Sequence, residues 1–110
     1  MKQYVIDGLR PDDHDRLKDY LDRYTRAAGI VGIYWLPVDK SVLTPVQTDH
    51  RDCAPHVIAL KLEPAALTCE LLVRTKKHIR CDCMAYATKE QCSWLIDQID
   101  AILEKLAIRI

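Results

Sequence analysis

The chain has 110 residues, 49% hydrophobic and 29% charged, with sixteen basic residues balanced by sixteen acidic ones. That length supports a single core, so residues 1–110 are expected to form one domain. Zero formal net charge argues against a dedicated nucleic-acid binder, and no apolar run reaches the roughly 20 residues of a membrane span.

The opening stretch, Met1 to Asp7, is too short in its apolar part for a signal peptide. Five cysteines make an odd number. Without secretory context they predict free thiols in a reducing cytoplasm.

Gln3 to Ile6 reads as a first strand, closed by Asp7-Gly8. Pro11 then opens a helix expected to run to about Ala28, with Leu17, Tyr20, Leu21, Tyr24 and Ala28 on one face. Gly29 is its natural stop. Ile30 to Leu36 is apolar at both parities, which predicts a central strand covered on both sides. Strand, helix and strand in so few residues suggest a right-handed crossover with the two strands parallel.

Residues 38–55 are irregular, apart from a capping box at Thr44-Pro45-Val46-Gln47 that predicts a short helix. His56 to Leu62 is a third strand, turned back at Glu63-Pro64-Ala65-Ala66. That turn sets Leu62 against Leu67, Leu60 against Cys69, Ile58 against Leu71 and His56 against Val73.

Leu67 to Ala87 reads as a hairpin with its tip at Thr75-Lys76-Lys77. The expected register puts Val73 opposite Ile79, Leu71 opposite Cys81 and Cys69 opposite Cys83. A second capping box, Thr88-Lys89-Glu90-Gln91, opens a last helix to about Ala107. Its stripe of Cys92, Leu95, Ile96, Ile99, Ile102, Leu103 and Leu106 is the natural cover for the sheet. The expected fold is a two-layer α+β domain of order β-α-β-(short helix)-β-β-β-α. Its five-stranded sheet is mixed but mostly antiparallel, with two long helices on one face.

Four groups of residues invite a functional reading. His50, Cys53 and His56 have zinc-like spacing but supply only three local ligands. On the expected register, Cys81 lies too far from His56 to complete them. Cys69, Cys81, Cys83 and Cys92 converge on the apolar face, as a thiol or zinc cluster or simply as small buried hydrophobes. Neighbours two apart on a strand, such as Cys81 and Cys83, are separated by about 6.5 Å, which disfavours a shared metal.

Arg74, Lys76, Lys77 and Arg80 form a basic tip suited to a polyanion. Trp94, Ala101 and Ile108 repeat on the far side of the last helix, as an anchor for a partner or a second copy. Cys53 with His50 or His56 lacks the third group a nucleophile pair needs, so no catalytic residue is assigned. The leading expectation is a cytoplasmic, non-enzymatic binding domain without a cofactor, acting as a homodimer or on another protein. The alternatives are a zinc or redox-active thiol protein, then a polyanion or nucleic-acid contact through the tip.

Overall fold

A computed structural model describes residues 2–77 and 80–110. The capping signals set the helices. Pro11 starts α1 (Pro11–Tyr24), where Asp13 accepts from the Arg10 backbone at 3.1 Å and from its guanidinium at 3.2 Å. Those bonds, the backbone one foremost, hold the buried Asp13 carboxyl below its ordinary range. Thr44 and Thr88 accept from the backbone amides of Gln47 and Gln91, and so open α2 (Pro45–Asp49) and α3 (Lys89–Lys105).

The first helix ends sooner than its apolar spacing predicts. The Thr25 hydroxyl donates to Leu21 O at 2.6 Å, and Tyr24, expected in the apolar face, is exposed. The chain instead enters a small hairpin of β2 (Arg26–Ala27) and β3 (Ile33–Pro37). Gly32 is required there. Its φ is +84°, and a Cβ would lie 2.9 Å from the Leu62 carbonyl.

The remaining strands are β1 (Gln3–Ile6), β4 (His56–Glu63), β5 (Ala66–Glu70), β6 (Leu72–Thr75) and β7 (Ala85–Tyr86). The main sheet has the order β1-β5-β4-β3-β2, with β6 continuing β5 beside β4 and β7 beside β6. The α+β architecture is as expected, with both long helices on one face. The crossover is not. Each neighbouring pair is antiparallel, and β3 pairs with β4 and β2 rather than with β1. The central strand is therefore β4, whose Val57 and Ile58 are both buried. In β3 the outward Ile33 and Trp35 are only half-buried.

One sheet face carries Ile6, Leu67, Cys69, Leu60, Leu62, Ile58, Tyr34 and Val73. Leu17 and Leu21 of α1 and Leu95, Ile99, Ile102 and Leu103 of α3 close over it as one cluster. Burying each of these side chains contributes about 1.5–3 kcal/mol. Tyr34 adds a bond from its hydroxyl to Asp22 of α1 at 2.6 Å, and its burial foremost pushes its pKa up to about 12. After α3, Ala107 takes a positive φ of 56° and the Ile108 amide bonds back to Leu103 O at 2.9 Å. That turn folds Ile108 into the core.

The register departs from expectation beyond Cys69. Leu62 pairs with Leu67 and Leu60 with Cys69, but His56 pairs with Thr75 rather than Val73. From Leu60 to Val57 the central strand advances 60 − 57 = 3 residues, while its partner advances 74 − 69 = 5, from Cys69 to Arg74. A bulge of two residues lies between, and being even it keeps Val73 facing the core. Leu71 is the break point. Its amide donates to Lys2 O at 3.0 Å, and its carbonyl accepts from Ala87 N at 2.8 Å. Val73, expected opposite Ile79, pairs with Ala85, and Leu72 pairs with Tyr86. Ile79 and His78 lie outside the described residues. Among the described residues the long hairpin is thus two short strands, β6 and β7, with a turn at Cys81 to Met84 between them.

Candidate metal centre

The loop after β6 is brought to the loop before β4 by their shared strand pairing. Thr75, opposite His56, donates its hydroxyl to Cys53 O and accepts from the Lys77 amide. Cys53 closes a 3-10 turn (Arg51–Cys53) in which its amide bonds to His50 O at 3.0 Å. His50 terminates α2. On the facing loop, Met84 N donates to Cys81 O at 3.0 Å, so Cys81-Asp82-Cys83-Met84 is a turn. A turn, unlike a strand, swings residues two apart toward one another.

His50, Cys53, Cys81 and Cys83 consequently converge, with their donor atoms all within 4.8 Å of one another. His50 Nδ1 lies 3.1 Å from Cys81 Sγ and 3.9 Å from Cys53 Sγ, and the two sulfurs are 3.6 Å apart. Zinc bonds sulfur at about 2.3 Å and nitrogen at about 2.05 Å, so tetrahedral ligands lie about 3.8 Å apart for two sulfurs and about 3.6 Å for sulfur and nitrogen. The arrangement fits a tetrahedral ion, with Nδ1 the ring atom turned to it. Cys53 and Cys83 are buried, while His50 and Cys81 are partly open to solvent.

The electrostatics are uneven. The Cys83 amide and then its thiol donate to the Cys81 sulfur and bring its pKa down to about 7, with Cys53 and His50 acting the same way. Burial, then donation to Cys81, raises Cys53. Burial and the same donation push Cys83 up to about 12. Charge is therefore concentrated on one sulfur, and a cation is the group that would stabilise all three as thiolates.

Two buried glutamines hold the loops from behind. Gln47 Nε2 donates to Cys83 O at 3.2 Å. Gln91 Nε2 donates to Gln47 Oε1 at 2.8 Å and to Val42 O at 3.0 Å. Both residues also complete capping boxes, since Thr44 N and Thr88 N donate to their side-chain oxygens. The start of α3, the start of α2 and the Cys83 turn are one polar network.

The structure divides the sequence-derived sets. His50 and Cys53 join Cys81 and Cys83, while His56 stays outside the four. Cys81 reaches this group because Cys81 to Met84, expected within a strand, form a turn beside the 3-10 turn that precedes β4. Cys69 lies in the core, where burial pushes its thiol up to about 12, and Cys92 directs its sulfur to Ala87 O at 3.8 Å. All five cysteines are free thiols. The missed signal was the pairing of two short motifs, His-x2-Cys and Cys-x-Cys, whose inner cysteines are 28 positions apart.

Of the basic tip, Lys76, Lys77 and Arg80 are exposed, but Arg74 is engaged by Glu70 at 2.7 Å. Trp94, Ala101 and Ile108 do not form an outward stripe. Trp94 packs against the core, Ile108 is buried in it, and Ala101 alone is exposed, because α3 ends before Ile108.

His56 is buried with neither ring nitrogen partnered among the described residues. Burial first, and His50 second, lower its pKa, so the unfolded chain binds its proton more readily than the folded one. Stability therefore falls as pH drops below about 6.5, the ordinary histidine value. His56→Leu is expected to flatten that slope and to be neutral or stabilising by about 1 kcal/mol at neutral pH. Urea unfolding of chelator-treated protein across this range checks it. An unchanged slope would assign the pH dependence to another group.

No protein-family model, curated protein or solved structure matches the chain, and among the described residues no helix is long and apolar enough to cross a membrane.

Proposed function

We propose that this is a small zinc-binding domain whose metal is structural rather than catalytic. The observation that carries the reading is the spacing of His50 Nδ1, Cys53 Sγ and Cys81 Sγ, with Cys83 as the fourth donor. Three thiolates and one imidazole are a soft donor set that selects zinc over magnesium or calcium. Four protein ligands leave no open position for water or substrate, which is the pattern of a structural site. Such a site suits the non-enzymatic, binding character expected from the sequence, since its effect is to lock two loops into one surface. A reducing compartment such as the cytoplasm is where these thiols hold a metal instead of pairing with one another.

The test is native mass spectrometry of protein purified without chelator. The expected mass carries one zinc per chain, retained in Cys69→Ala and Cys92→Ala and lost or sharply reduced in His50→Ala and Cys83→Ala. Cobalt substitution is expected to give the visible bands of a tetrahedral thiolate site. Protein that is metal-free as purified, and takes up neither ion when titrated, would end the zinc reading.

A further inference from the structure

The four donors are not equivalent. Cys83 is buried, and its backbone is tied down by Gln47. Cys81 is partly exposed and lines a surface hollow with Leu72, Arg80, Asp82 and Met84. Cys53 lies directly behind it, with its sulfur 3.6 Å away on the other loop and 28 positions distant in the chain. That is van der Waals contact between two thiols, and a disulfide needs the sulfurs to close to about 2.0 Å. Exposed residues flank both sulfurs, Arg51, Asp52 and Ala54 on one loop and Arg80 and Asp82 on the other, so closure takes place at the surface rather than in the main core.

We propose that Cys53 and Cys81 are a reversible oxidation site for hydroperoxides, in which disulfide formation expels the metal. The expulsion rests on the zinc reading; the disulfide stands on the geometry of the two sulfurs alone. The Cys81 sulfur attacks a peroxide oxygen and the O–O bond breaks, leaving a sulfenic acid on Cys81 and the alcohol, or water from hydrogen peroxide. The Cys53 sulfur then attacks the Cys81 sulfur. The S–S bond forms, the S–O bond breaks, and the hydroxyl leaves as water with the Cys53 proton, or with a proton from solvent where Cys53 was a zinc-bound thiolate. Two thiols, or two zinc-bound thiolates with two protons from solvent, and one hydroperoxide thus become one disulfide, one alcohol and one water, with two electrons passing from sulfur to the peroxide. Of the four ligands only His50 and Cys83 are left, too few to retain zinc.

This choice of pair excludes the alternatives on positional grounds. Cys69 is enclosed in the main core and Cys92 lies on α3 against Ala87, so neither shares the site. A bond between Cys81 and Cys83 would have to close within the same tight turn, and one between Cys53 and Cys83 would join two buried cysteines and leave the partly exposed Cys81 unused.

The experiment exposes zinc-loaded protein to hydrogen peroxide, follows zinc with a colorimetric chelator, and maps linked peptides without reduction. The expected result is one zinc released per disulfide, a dominant Cys53–Cys81 link, loss of two hydrogens in mass, and restoration of thiols and zinc binding by a reductant. A parallel arm treats chelator-stripped protein and a Cys83→Ala variant, where the same link is expected without any metal readout. Protein that never binds zinc would fail the earlier reading while leaving this arm intact. A different dominant pair, or irreversible oxidation of Cys81 with Cys53 still a thiol, overturns the proposal.

Discussion

Stripping zinc with a strong chelator is expected to lower the melting temperature by about 15 °C. A site held at roughly a thousand times its dissociation constant stabilises the fold by about 4 kcal/mol, and each kcal/mol moves the midpoint of a domain this size by about 4 °C. Cys81→Ser should reproduce most of the loss, and chelator should then shift it no further. The domain is expected to remain folded, because the main apolar cluster of sheet and helices does not include Cys53, Cys81 or Cys83. Hydrogen exchange should accordingly accelerate in residues 50–55 and 80–84 while β4, β5 and α3 keep their protection. A melting curve indifferent to chelator, with Cys81→Ser as stable as the parent, would show that metal plays no part in the fold's stability.

Gln91→Ala is expected to cost about 3 kcal/mol and to weaken zinc binding by about 10- to 100-fold. Gln91 is fully buried. Its loss leaves Val42 O and Thr88 N without the partners it supplies and takes one donor from Gln47 Oε1. Each orphaned buried group costs about 1–3 kcal/mol. The effect reaches the metal because Gln47, released from Gln91, no longer holds Cys83 O in one position. Gln91→Glu separates the two roles. Its carboxylate still accepts from Thr88 N and so keeps the cap, but cannot donate to Val42 O, so most of the loss should persist. Gln98→Ala, exposed on the same helix, is the control and should be neutral. Calorimetric unfolding paired with a zinc competition assay reads both effects. Normal zinc affinity in Gln91→Ala would confine the network to helix capping.

Much of the architecture is written locally. Thr44 to Gln47 and Thr88 to Gln91 carry their caps in four consecutive residues, and Pro11 marks the start of α1. The stripe from Leu95 to Leu103 identifies the covering helix by period alone. The turn at Pro64 and Ala65 is short enough to set the pairing of Leu62 with Leu67 and of Leu60 with Cys69. In each case the interacting groups are close in the chain, so residue type and spacing determine the outcome.

The metal centre depends on contacts that no local pattern contains. Ile79, Cys81 and Cys83 alternate as a strand would, yet Cys81 and Cys83 belong to a turn, and a thiol that resembles a buried hydrophobe in the sequence is here a ligand. The bulge after Cys69 shifts the pairing by two residues and so places Thr75, not Val73, beside His56. Only then do the loops around Cys53 and Cys81 meet. Strand order is likewise decided at long range, since nothing between Gln3 and Pro37 reveals that β1 will pair with β5 and not with β3. By itself the sequence determined where the helices start, the capping boxes at Thr44 and Thr88, and the apolar face across β4 and β5. The tertiary structure decided the antiparallel order of the sheet and the convergence of His50, Cys53, Cys81 and Cys83, because backbone pairing between distant segments, rather than periodicity, brings those four donors together.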